Sequence, residues 1–167
     1  MKIIESYTGF QPLKEVWIGG TYPAKFYQHL PNEVEDTFCK ITEQTEVGFI
    51  NLEKKLTELG VIVRKPKFNN SIENYQDSFD NLIKPPIAPR DWCFTIGNQL
   101  WIAPQGYKVE PYAEVINEYK QQGEHVEILD RGLDPRCWLG YPGIVRIGKK
   151  LIVDTGYESV SYTHLRA

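Results

Sequence analysis

"PPIAPRDWCFTIGNQLWIAP", residues 85–104, holds both the turn that dictates local topology and the first candidate for chemistry. Trp92 to Ile96 and Gln99 to Ala103 read as two short apolar strands. Gly97-Asn98 between them is the two-residue signature of a tight hairpin. Ahead of the first strand stands an Arg-Asp pair, Arg90 and Asp91, approached through Pro85, Pro86 and Pro89. Asp91 fits two roles. As a turn residue its side chain bonds nearby backbone amides before the strand begins. As a site residue it sits at a strand end, where two carboxylate oxygens match the parallel N–H pair of a guanidinium. Such a clamp also fixes the plane of the bound group and exposes its central carbon to attack.

On the C-terminal side, Pro111 opens a helix with Val115, Ile116 and Tyr119 on its apolar face and Gly123 as its stop. His125 to Leu129 alternates and reads as a strand. Gly143 to Ile147 and Lys150 to Asp154 form a second hairpin around Gly148-Lys149. "FTIGNQLWIAP" and "VRIGKKLIVDT" share Ile-Gly-x-x-Leu: Ile96, Gly97 and Leu100 against Ile147, Gly148 and Leu151. The helix and strand between them complete a strand–strand–helix–strand unit with a period of about 50 residues.

The N-terminal side carries a degenerate copy. Leu13 to Gly20 reads as a buried strand ended by glycines. Asn32 with Glu35 reads as a capping box opening a long helix. Its expected apolar face is Val34, Phe38, Ile41, Thr45, Gly48, Leu52, Leu56 and Leu59, with Gly60 as the stop. Val61 to Val63 follows as a strand ending near Pro66. Residues 67–90 are polar and then Pro-rich, a long irregular connection of the kind that serves function or flexibility. Units of this kind bury their faces only by repetition, and around an axis they make a propeller. Two to three such blades fit residues 1–156, read as one domain. The hydroxyl-rich stretch 157–167 breaks the pattern and reads as a non-native or disordered tail, so His164 is set aside.

Nineteen basic and 22 acidic residues are interspersed, giving a net charge of −3 and no basic stripe for nucleic acid. No apolar run has the length of a membrane span or a signal peptide. Cys39, Cys93 and Cys137 are odd in number and far apart, which argues against a disulfide framework and a CxxC zinc site. The expectation is a soluble, cytoplasmic, reduced protein without metal or cofactor. It has no nucleic-acid or membrane partner, and a homo-oligomer is compatible with its composition.

Cys93 lacks an adjacent base and reads as a small buried hydrophobe. Cys137 has no histidine nearby and reads as a loop or core thiol. His29 and His125 stand apart and read as structural. Gly19-Gly20 has no following Lys-Ser/Thr and reads as a turn, not a phosphate loop. Arg90 is most simply a partner that neutralises neighbouring charge.

At "APRDWCFTIGNQLWIAP" the chain resembles the amidinotransferases of the guanidino-group-modifying (pentein) superfamily. The opening "PLKEVWIGGTYP" is similar to that family's first strand and loop. The resemblance spans roughly residues 10 to 156. It implies a five-blade α/β propeller, here incomplete, acting on arginine or a related guanidino compound with an amine as acceptor. It also implies a cysteine thiolate that attacks the guanidinium carbon, with a histidine assisting the leaving amine and an amidino-cysteine intermediate. The family's guanidinium-binding carboxylate maps to Asp91. Its nucleophile and its histidine belong to later parts of the family's chain and do not carry over; Gly140, Pro142 and Gly143 stand where its second acid is expected, so either Asp134 fills that role or it is lacking. Asp134 and Arg90 are the further substrate-binding candidates. The resemblance thus implies an N-terminal part of a transferase that is inactive alone. Two alternatives stay open within the superfamily: a guanidino-group hydrolase of the arginine deiminase or dimethylarginine hydrolase type, and a non-catalytic binding protein. A fortuitous repeat in an ordinary α+β domain is a further one.

Overall fold

Two helix stops, Gly60 and Gly123, govern how the chain turns back into strand. Both adopt left-handed backbone, with φ of 78° and 76°, a conformation that costs glycine little. In each case the amide after the glycine bonds a carbonyl five residues back: Val61 N–H to Leu56 O at 3.0 Å and Glu124 N–H to Tyr119 O at 3.0 Å. In each case a strand begins two residues after the glycine, at Ile62 and at His125. The computed structural model describes residues 4–7, 10–27, 31–68, 85–102, 109–128, 144–148 and 150–153. They form an α/β fold with three small open sheets, and the chain divides into two compact units.

The first unit comprises Leu13–Pro89 and Gly106–Ala113. Strand β1 (Glu15–Trp17) pairs in parallel with β2 (Ile62–Arg64), and helix α1 (Asn32–Glu58) is the crossover between them. Arg64 Nε donates to Glu15 Oε1 at 2.8 Å, diagonally across the pair. An aromatic cluster lies under α1: Tyr22 stacks on Phe26 at 4.3 Å and Tyr27 on Phe38 at 5.1 Å between ring centroids. Trp17 stacks on Tyr112 at 5.0 Å, and the Tyr112 hydroxyl donates to Ile18 O at 2.7 Å.

Two expectations for α1 need correction. Asn32 does not cap the helix. Pro31 is the N-cap, and its carbonyl accepts from the amides of Val34 and Glu35 at 2.8 and 2.9 Å without any side-chain cap. The buried face is also rotated: Thr42 is its most buried residue and Phe38, Phe49 and Leu56 are half-buried, whereas Val34, Ile41, Leu52 and Leu59 are exposed. Thr42 on this face hydrogen-bonds the Tyr27 phenol. Burial pushes the Tyr27 phenol up, and the Thr42 bond partly offsets that shift.

Gly19-Gly20 also differs from expectation. Neither glycine is in left-handed backbone; both are buried because another chain segment runs against them. A Cβ on Gly19 would collide with the Ile87 carbonyl, and one on Gly20 would lie 2.6 Å from Pro66 Cγ. The Gly20 amide donates to Pro86 O at 3.3 Å. The glycines therefore admit the proline-rich segment to the end of β1.

The second unit comprises Met1–Pro12, Arg90–Gln105 and Glu114–Ala167. Strands β3 (Cys93–Ile96) and β4 (Gln99–Ile102) form the expected antiparallel hairpin, with Gly97 at φ 55°. After a 3-10 turn at Glu110–Tyr112, helix α2 (Ala113–Gln121) carries the chain to β5 (His125–Ile128), which pairs in parallel with β4. Val115, Ile116 and Tyr119 are buried as the spacing predicts. Strands β6 (Ile144–Ile147) and β7 (Lys150–Val153) repeat the hairpin, with Gly148 at φ 60°. Arg146 of β6 holds the unit together. Its Nη1 donates to Thr95 Oγ1 at 2.9 Å, to Thr95 O and to Ser6 Oγ, while Ser6 and Gly97 exchange backbone bonds. The strand–strand–helix–strand unit read from the sequence is thus present in β3, β4, α2 and β5. Among the described residues no helix is long and apolar enough to cross a membrane.

The glycine close approach gives a paired prediction. Gly19→Ala costs about 1–3 kcal/mol of stability, because the Ile87 backbone cannot yield. Gly48→Ala, in mid-helix with nothing within 4 Å of a new Cβ, gains about 0.5–1 kcal/mol. Urea denaturation of the two variants separates these effects; shifts of the same sign would contradict the packing described.

Candidate functional site

Asp91 ends a one-turn 3-10 helix, Pro89–Asp91, that enters β3. Pro89 is buried before it and Trp92 wholly buried after it, followed by buried Cys93, which faces wholly buried Ile102 across the hairpin. Each such side chain contributes about 1.5–3 kcal/mol on burial, so the backbone on either side of Asp91 is fixed by packing. Arg90 and Asp91 themselves are exposed. An exposed carboxylate is thereby held at the start of a strand, where a fork-shaped cation can approach.

Cys93 is buried, and burial pushes its thiol up to about 12. It is a core hydrophobe, as the sequence indicates. Cys39 lies on α1, where burial and then the charge of Glu35 raise its thiol. Neither has the lowered pKa of an activated nucleophile. His125 is exposed at the start of β5, with Nε2 3.7 Å from Glu127 Oε2. Asp134, Cys137, His29 and residues 140–143 lie outside the described residues, as does His164. No group of residues able to hold a metal ion occurs among the described ones.

A cleft elsewhere was not anticipated. In the first unit a cleft of about 550 Å³ opens between the loop after β1 and one side of α1. Gly19, Gly20, Thr21 and Tyr22 line one wall, Glu43 and Glu46 another, and Phe68 contributes to the apolar floor. Thr21 Oγ1 donates to Glu46 Oε2 at 3.0 Å. Its one sequence signal is the three-residue spacing of Glu43 and Glu46, which puts both carboxylates on one helix face.

This arrangement of elements has solved counterparts. The inosamine-phosphate amidinotransferase StrB1 from Streptomyces griseus superposes with a TM-score of 0.67 at 16% identity, over 90% of this chain and 55% of that one. SxtG, an amidinotransferase from Microseira wollei in the saxitoxin biosynthetic pathway, superposes with a TM-score of 0.58 at 17% identity. That match covers 98% of this chain and 59% of SxtG. The chain therefore has an amidinotransferase-like fold, of the pentein α/β type, and spans a little over half the length of these structures. No protein-family profile matches the chain, and no curated protein sequence does.

The burial of Cys93 has two measurable consequences. At pH 8 only about one Cys93 in ten thousand is thiolate, so iodoacetamide leaves it unlabelled until the chain unfolds. The folded state also keeps a proton that the unfolded chain releases from about pH 9. This contribution to stability is therefore complete below the ordinary thiol value of 9.0 and is lost as the pH rises toward about 12. Site-resolved mass spectrometry of native and urea-unfolded protein checks the first point; fast native labelling of Cys93 would contradict it.

Proposed function

We propose that this chain is the guanidino-binding part of an amidinotransferase, with Asp91 holding the guanidinium of arginine or a related donor. The observation that carries the reading is the placement of Asp91. It is an exposed carboxylate locked at the head of β3 by buried Pro89, Trp92 and Cys93, in a fold shared with two amidinotransferases. A bidentate carboxylate–guanidinium pair fixes both the position and the plane of the donor. Transfer then needs a thiolate to take the amidino group and an acid/base to release the first amine and admit the second. Cys93 and Cys39 do not have the character of that thiolate. In this reading the nucleophile and the acid/base belong to the further length that StrB1 and SxtG possess and this chain does not span. The described strand–strand–helix–strand unit and its partial copies then correspond to two to three of five propeller blades.

Two outcomes follow. The 167-residue chain, incubated with arginine and glycine, yields no ornithine. In the protein extended by its remaining blades, Asp91→Asn lowers kcat/KM for the guanidino donor by roughly 30-fold or more, equivalent to about 2 kcal/mol, with the fold unchanged. Unaltered donor kinetics in Asp91→Asn would leave Asp91 a turn residue and remove the basis of the proposal.

A further inference from the structure

We infer that α1 is a self-association surface, on which two copies of the chain pair antiparallel along an apolar stripe. The stripe is Val34, Ile41, Thr45, Gly48, Leu52 and Leu59, residues that share one side of α1 and its C-cap at helical spacing. It lies beside the half-buried face and is not covered by it. Val34 is 38% exposed, Ile41 54%, Leu52 43% and Leu59 79%. Gly48 is exposed, and Thr45 is half-buried. The Thr45 hydroxyl donates to Ile41 O at 2.7 Å, so covering it leaves no polar group unpaired. An apolar stripe that runs the length of a long helix in water marks an interaction surface.

Three observations select a second copy as the occupant. The stripe is its own reverse: its steps are seven, four, three, four and seven residues. An antiparallel pair therefore sets Val34 against Leu59, Ile41 against Leu52 and Thr45 against Gly48, large on large and small on small. That reciprocity, in which residue i meets j and j meets i, is what a two-fold interface requires. Gly48 is the second observation. A mid-helix glycine weakens a helix, and nothing in the chain lies within 4 Å of the Cβ it would carry. Its smallness serves no contact inside the chain, whereas at the centre of the stripe it lets two helices approach closely. Charge at the helix ends is the third. The antiparallel pair brings the acidic first turn, with Glu33 and Glu35, to the other copy's last turn, which carries Lys55. It also opposes the two helix dipoles, whereas a parallel pair would set the acidic turns side by side. The stripe and Asp91 lie on different elements, so neither reading rests on the other.

The test is analytical ultracentrifugation of the 167-residue chain between roughly 5 and 500 µM, the range suited to a small interface. The expected result is a reversible monomer–dimer equilibrium that ends at the dimer. Ile41→Glu and Leu52→Glu each weaken the dimer about tenfold or more, with helical circular dichroism unchanged, because each charge enters the contact twice. Cross-linking fixes the geometry, in a background of Cys39→Ser and Cys137→Ser. An equimolar mixture of Ile41→Cys and Leu52→Cys chains forms the mixed disulfide on mild oxidation, and neither chain alone forms a homodimer. The proposal is overturned by a chain that stays monomeric throughout the range. It is equally overturned by dimerisation undiminished in either glutamate variant, by growth into ever larger species, or by homodisulfides in place of the mixed one. The wild-type and cross-linking arms decide the matter even if a glutamate variant fails to fold.

Discussion

The burial of Trp92, Cys93 and Ile102 beside an exposed carboxylate is the constraint on which the second unit's proposed site depends. Three buried side chains outweigh anything a surface ion pair contributes there, since exposed pairs are worth about 0–1 kcal/mol. The strand is therefore placed by its apolar residues, and Asp91 takes its position from them. Arg146 reinforces the same strand by bonding both the hydroxyl and the carbonyl of Thr95. Burial lowers the Arg146 pKa from its ordinary value, yet a guanidinium remains charged throughout the working pH range.

The first unit is organised by close approach. Glycines at 19 and 20 let the Pro86–Ile87 backbone run against the end of β1, and stacked aromatics fill the space under α1.

Much of this was legible in the residues, for identifiable reasons. Hairpins and helix stops were read correctly because Gly97, Gly148, Gly60 and Gly123 occupy backbone that other residues adopt at a cost. The parallel pairing of β4 with β5 follows from the helix between them, which brings the second strand back in the direction of the first. The face of α1 was misread because apolar residues occur on more than one side of a 27-residue helix. Polar Thr42 lies inward, hydrogen-bonded to the Tyr27 phenol. The cap was misread because a proline carbonyl sufficed. The place of Asp91 at the head of a strand was visible through its Arg-Asp-strand context, whereas the cleft depends on Thr21 meeting Glu46 across 25 positions, which no local pattern reveals. Asp134 belongs to residues outside those described, so its role rests on the sequence alone.

The central claim is that Asp91 receives a guanidinium group in fork geometry. Under the proposed reading, a crystal structure of the completed propeller soaked with arginine tests it most directly. The account predicts both Asp91 oxygens within hydrogen-bond distance of two guanidinium nitrogens. An arginine bound elsewhere, with the Asp91 carboxylate turned onto neighbouring backbone amides, would contradict it.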